Sequence, residues 1–299
     1  MSPTSSLPSP TGPLRPEPGI LPDLIAQPIK KAIAARVTGM FNDRGRNEKP
    51  VVRHPDSLLG SHSVAWRVHG DVTSMMTGGI ASLLMQMLHT AVLAGVWDHS
   101  NFRSDMQGRL RRTARFIAMT TYGEPTEARA AIARIRKIHD RVQGFLPDGT
   151  PYSANDPALL AWVHVTETVS FLDAWLRYGE REMSLADQDR YFDEMAGIGV
   201  ALGADPVPRT RQEAADLIEA MRPQLRSDAR SRAVSRLILG QPAQSVLAEP
   251  VVAIIREAAI DLLPEWAVRM HRLHAPAIRR PMVRNGALRI ARTLRWAFH

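Results

Sequence analysis

The chain has 299 residues, of which 38 are Lys or Arg, 30 are Asp or Glu and none is Cys. Without Cys, disulfides, thiolate metal sites, iron–sulfur clusters and a cysteine nucleophile are excluded together. The formal charge of +8 suggests nucleic acid until it is located: eight Arg (269, 272, 279, 280, 284, 289, 292 and 295) and no acidic residue fall within 269–299, so the rest of the chain is balanced. No aromatic platform or nucleic-acid motif accompanies that charge, and no nucleic-acid partner is expected.

Residues 1–28 hold eight Pro among Ser, Thr and Gly, a composition that buries too little apolar surface to offset ordering. They are predicted to form a disordered arm. The start lacks a basic stretch followed by an apolar core, so no secretory signal is read and a cytoplasmic location is the default. Residues 29–299 are predicted to form one all-helical domain, opening with a short amphipathic helix over 29–41 and a loop over 42–56.

The longest stretch without Asp, Glu, Lys or Arg is 72–97. About 20 such residues are enough to cross a bilayer. However, Ser74, Ser82, Gln86, His89, Thr90 and three Gly dilute the apolar content, which favours a helical segment buried inside the domain. His89 is then a buried polar group in need of a partner. Gly78 and Gly79 allow close approach by a neighbouring helix or a flat ligand.

Further helices are predicted over 105–122, stopped at Gly123, and from Glu124-Pro125-Thr126 to Val142 or Gln143, ended by Gly144. After the turn-rich Pro147-Asp148-Gly149-Thr150-Pro151 comes a helix from 157 to 178, with Pro at its first position and Gly179 as its stop. Ser184 and a Thr210–Glu213 capping box open two more. Segments near 227–239, 250–274 (broken at Pro264) and 287–298 complete the set. In the last, Ile290, Ala291, Leu294, Ala297 and Phe298 share a face opposite Arg289, Arg292 and Arg295. Residues 279–299 therefore either pack on the domain or lie on an anionic membrane.

In the 126–143 helix, His139 shares the apolar arc of Ile132, Ile135, Ile138 and Val142, with Arg136 at its edge. A lone histidine facing a core is either an imidazole satisfied by a backbone carbonyl or an axial ligand to a metal such as haem iron. Arg109, Arg112 and Thr113 are spaced i, i+3, i+4, so they form either a solvated face or a set of donors for carboxylates or a bound oxygen species. His164 and Glu167 share a face with Phe171, as a structural pair or as support for a ligand. His271 and His274 are one turn apart, with nothing else in the chain to complete a zinc site.

Taken in order, Gly78-Gly79 through His89, Ala-Gly-Val-Trp-Asp-His99-Ser, Arg109-Leu-Arg-Arg112-Thr113, Tyr122-Gly123, Arg136-Lys-Ile-His139, Pro147-Asp-Gly-Thr-Pro-Tyr-Ser-Ala-Asn-Asp-Pro157 and Trp162-Val-His164 resemble the MpaB-type oxygenases, which include the rubber oxygenase called latex clearing protein. The resemblance runs from about 50 to 240. It implies a globin-related helical core holding haem b, and oxygenation or oxidative cleavage of a small hydrophobic, isoprenoid-like substrate with dioxygen or peroxide. By that pattern His139 is the iron ligand. Arg109, Arg112, Thr113, Arg136 and His164 line or support the cofactor, with Arg112 and Thr113 placed for catalysis. Rubber oxygenases carry Lys where this chain has Arg112, and a guanidinium does not ligate iron. The distal side is therefore expected to be open or filled by water. The other reading is a non-catalytic helical haem or lipid carrier docking on membranes through its arginine-rich end.

Overall fold

A computed structural model of the protein describes residues 23–41, 50–243, 245–274 and 276–298. Among them are thirteen α-helices and one two-stranded hairpin, as the all-helical reading requires. Residues 1–22 of the expected arm, and most of the 42–56 loop, lie outside the described residues. The arm reading is corrected at its end, because α1 (Asp23–Phe41) starts inside it and carries Pro28.

The other helices are α2 (Val64–His69), α3 (Val72–Gln86), α4 (Thr90–His99), α5 (Met106–Tyr122), α6 (Pro125–His139), α7 (Pro157–Tyr178), α8 (Leu185–Leu202), α9 (Arg211–Met221), α10 (Ala229–Leu239), α11 (Glu249–Leu262), α12 (Glu265–His271) and α13 (Arg280–Phe298). Local chemistry opens most of them. Asp105 accepts from the Gly108 N–H at 2.8 Å, Asp156 from Ala158 at 2.9 Å and Ser184 from Asp187 at 3.0 Å, each satisfying an orphan donor of a first turn. The box expected at Thr210 is half made: Thr210 accepts from the Glu213 N–H, but the Glu213 carboxylate accepts from the Arg209 N–H. A full box occurs instead at Asp228 and Ser231.

The 72–97 stretch does lie inside, with α3 against α7 as its main packing. A Cβ built on Gly78 would come 2.7 Å from the Ser170 carbonyl oxygen and 2.9 Å from the Phe171 ring. The space that glycine opens is thus taken by α7 and not by a flat ligand. The stretch is also two helices. Helix α3 stops at Gln86 because a distant segment crosses there: the Arg226 N–H donates to the Leu88 carbonyl at 2.8 Å, and His89 pairs with Leu225 as an isolated bridge. No proline or glycine marks that break. No helix among the described residues is long and apolar enough to cross a membrane.

Two boundaries differ around His139. Helix α6 ends at His139, and the next residues form β1 (Gln143–Phe145), antiparallel to β2 (Pro151–Ser153). Gly144 is therefore not a helix stop. It seats the Tyr152 ring, whose hydroxyl would lie 2.9 Å from any Cβ there. The turn is closed by Gly149 at φ +85°, a backbone that glycine adopts without a steric penalty.

Helix α13 packs on the domain, against α1, α3, α7 and α11, with Val283, Ala287, Ala291 and Ala297 buried. The expected division of its faces fails at Arg295, which turns inward. Its Nε donates to Asp71 Oδ2 at 2.7 Å, and a terminal nitrogen donates to the Tyr178 carbonyl. Asp71 also caps α3, so one buried carboxylate ties the last helix to the central one. Asp261 does similar work on α11, accepting from Arg177 at 3.0 Å and Arg284 at 2.7 Å.

Candidate active site

Helices α3 and α7 run antiparallel, since Gly78 meets Ser170 while the His89 ring lies 6.5 Å from that of Trp162. The end of α3 therefore meets the start of α7. Three other family-like segments, around Gly95–His99, His139 and 151–157, are joined to one another. Gly95 of α4 faces Val142, where a Cβ would sit 3.3 Å from the valine side chain. The Tyr152 hydroxyl donates to Asp98 Oδ2 at 3.1 Å and lies 3.3 Å from His99 Nε2. Asn155 Nδ2 donates to Asp140 Oδ1 at 2.7 Å, joining the entry to α7 to the exit from α6. Only Gly123 and Glu124 join α5 to α6, so Arg109 stands about as far from that turn as Ile138 and His139 do.

Several unsatisfied polar atoms lie on these segments. Neither ring nitrogen of buried His89 has a hydrogen-bond partner, nor do Trp162 Nε1 and His139 Nδ1. Each such group costs about 1–3 kcal/mol when left without a partner. Burial lowers the His89 pKa, while the Gln224 side chain and the Asp156 charge oppose it without closing a hydrogen bond of good geometry. Burial likewise lowers His139, against the opposing charge of Asp140. Both imidazoles are thereby favoured in the neutral form that can offer a lone pair.

His139 is half-buried at the last position of α6 and does not face a deep core. Of its expected arc, Ile132 is buried and Ile138 is 49% exposed. Arg109 donates from Nη1 to Ser100 Oγ at 3.0 Å, and burial, then the neighbouring Arg112, lowers its pKa. Arg112 and Thr113 do not join it. Both are exposed: the first donates to Asp105 at 3.2 Å, the second to its own helix at the Arg109 carbonyl. Arg136 is exposed and donates to the Ala201 carbonyl at 3.4 Å, tying α6 to α8. His164 is buried with its ring against Gly199, and burial takes its pKa down to about 4. Beside it on α7, burial pushes Glu167 up to about 7, with a sliver of its surface still open.

One polar chain was missed by the sequence reading. His69 is buried with Nδ1 at 2.8 Å from Thr121 Oγ1 and Nε2 at 3.0 Å from the Tyr191 hydroxyl, and burial takes it down to about 3. Nothing in the spacing around His69 signals this, since its partners are 52 and 122 residues away. The His271 and His274 pair resolves into structure. His271 is buried, donates from Nε2 to the Leu84 carbonyl and meets Ser235, while His274 is exposed. No group of three or more metal-ligating side chains lies together among the described residues.

The fold is thus a helical bundle in which several buried polar groups, among them His89, Trp162 and His139, lack hydrogen-bond partners. The family model that matches it is described as "ER-bound oxygenase mpaB/B'/Rubber oxygenase, catalytic domain" and spans residues 66–296. The chain belongs to this family and carries its oxygenase catalytic domain. The match extends into α13, beyond the 240 or so at which the motif resemblance stops. No curated protein and no solved structure matches the chain.

Proposed function

We propose that this protein is a haem b-dependent oxygenase acting on a small hydrophobic substrate, with His139 as the protein ligand of the iron. The observation that carries the proposal is the partnerless Nδ1 of His139, in the family-like Arg136–His139 segment. An axial ligand must be neutral and free of a competing proton donor, and burial supplies the first condition. When bound, the haem supplies the iron centre at which dioxygen or peroxide is activated.

The chain's own groups hold and enclose. Asn155 fixes Asp140, the residue after His139, and so the last turn of α6. Arg136 clamps the same turn to α8. Arg109 keeps a charged donor level with His139, suited to a carboxylate such as a propionate. His164, neutral and packed on Gly199, shapes the wall from α7. Arg112 and Thr113 lie toward solvent and belong to the rim. Their catalytic role rests on the resemblance alone.

The test is a titration of apo-protein with haem, followed in the Soret region. Saturable binding is expected, weakened strongly in His139→Ala. A variant that binds haem with unchanged affinity and spectrum would overturn the ligand assignment.

A further inference from the structure

Around the corner of α6 from His139 is a surface hollow of about 400 Å³ lined by His99, Arg134, Lys137, Ile138, Arg141 and Val142. That volume lies within the range of small-molecule sites. Its floor is apolar: Ile138, 49% exposed, sits beside half-buried Val142. Its rim is cationic. Arg134, Lys137 and Arg141 are exposed, and none has an ion-pair or hydrogen-bond partner among the described residues. The two acids nearest in sequence form no ion pair with these cations: Asp98 accepts from the Tyr152 hydroxyl and Asp140 from Asn155.

The ordinary explanation for basic residues near a helix C-terminus is complementation of the helix dipole. That dipole amounts to about half an elementary charge. Three full charges exceed it, and Arg134 stands before the last turn of α6. Other arginines show what this chain does with cations it uses structurally: Arg177, Arg284 and Arg295 each hold a buried carboxylate. The three on the hollow hold none.

We propose that this hollow binds the anionic head of an amphipathic substrate, so that the oxygenase acts on an apolar chain bearing one carboxylate or phosphate and not on a neutral hydrocarbon. The cations receive the head, and Ile138 and Val142 receive the first part of the chain. Ile138 and His139 are adjacent residues about 100° apart on the helix, so a molecule seated on the first lies next to the turn that carries the second. The inference rests on the proposed function for the reaction, but the binding stands without it. Haem propionates share the same chemistry, and the experiment separates the two sources.

The test is calorimetric titration of the purified protein with dodecanoate, dodecyl phosphate and dodecanol, repeated on an Arg134→Gln/Lys137→Gln double variant. Both substitutions are at exposed sites, and a thermal melt checks that the fold is kept. Dodecanoate and dodecyl phosphate should bind at least roughly tenfold more tightly than dodecanol, and the double variant should lose about that factor for the anions only. Equal binding of acid and alcohol, or anion binding unchanged in the double variant, would overturn the proposal. Haem content is measured on the same samples. Haem retained while anion binding falls is the expected result. Haem lost with it would assign the cations to the propionates and overturn the substrate class. Failure of the proposed function reads out elsewhere, as haem binding unaffected by His139→Ala, and leaves the dodecanoate result standing.

Discussion

The buried and half-buried histidines divide the molecule into two regions. Along the α2–α8 and α10–α12 seams they are satisfied: His69 bridges Thr121 and Tyr191, and His271 bridges Ser235 and the Leu84 carbonyl. Where the end of α3 meets the start of α7, neither His89 nitrogen nor the Trp162 N–H makes a hydrogen bond of good geometry, and at the end of α6 His139 Nδ1 makes none. The contrast holds for the histidines and not for every polar group, since Thr73 and Thr77 Oγ1, Arg111 Nε, the Tyr178 hydroxyl and Arg280 Nε also lack hydrogen bonds, although Arg280 still lies 3.5 Å from Asp261. What the difference teaches is where the fold gives up stability. Buried polar groups are normally paired, and an unpaired histidine within a family motif is a candidate for function.

The largest expected effect lies in the satisfied region. Asp261 is 4% exposed and faces three arginines that are about a third or more exposed. Asp261→Ala leaves those charges without their anion, and solvent recovers part of the loss. We expect a cost of about 2–3 kcal/mol, read as a fall in Tm of roughly 2–4 °C per kcal/mol. No change in Tm would show that α13 is not held by this carboxylate.

Next is the spine shared by both regions. Gly78→Ala drives a methyl into the Ser170 carbonyl and should cost about 1–3 kcal/mol. Gly79→Ala meets only the Phe171 ring, at 3.7 Å, and should be neutral or gain up to about 1 kcal/mol. Equal urea midpoints for the two would refute the close α3–α7 contact.

A direct comparison of the two regions uses one substitution at both. His271→Leu strands the Leu84 carbonyl and should cost about 1–3 kcal/mol. His89→Leu removes only the poorly aligned Gln224 contact and should stay within about 1 kcal/mol of wild type in apo-protein. A large loss at His89 would mean that its nitrogens are satisfied after all.

The remaining effect is the pH dependence. His69 and His164 are depressed from 6.5 to about 3 and about 4. Their contribution is full above about pH 6.5 and is lost as pH falls. Glu167 is raised from 4.5 to about 7, so its contribution is full below about pH 4.5 and is lost as pH rises through 7. Urea midpoints between about pH 5 and 8 should fall toward both limits, and Glu167→Gln should remove the fall at the alkaline side. An unaltered alkaline limb in that variant would place the titration elsewhere.

Much of this was legible from local chemistry. Pro157 and Gly179 fixed α7, Ser184 opened α8, and the absence of charge over 72–97 marked the core. The misreadings arose where distant chain decides. The break at Met87–His89 is made by residues 225–226, the end of α6 by a three-residue strand pairing with 151–153, and the inward turn of Arg295 by Asp71. Helical periodicity put His139 on the apolar side of α6 but could not show that the bundle thins out there. The i, i+3, i+4 spacing of Arg109, Arg112 and Thr113 likewise gave no sign that only Arg109 would be drawn in.

The central claim is that His139 offers its ring to a haem iron, and ligand rescue tests it most directly. His139→Gly should lose the Soret band of a histidine-ligated haem, and added imidazole should restore it in the cavity left behind. A His139→Gly protein that shows the wild-type band without imidazole would contradict the account.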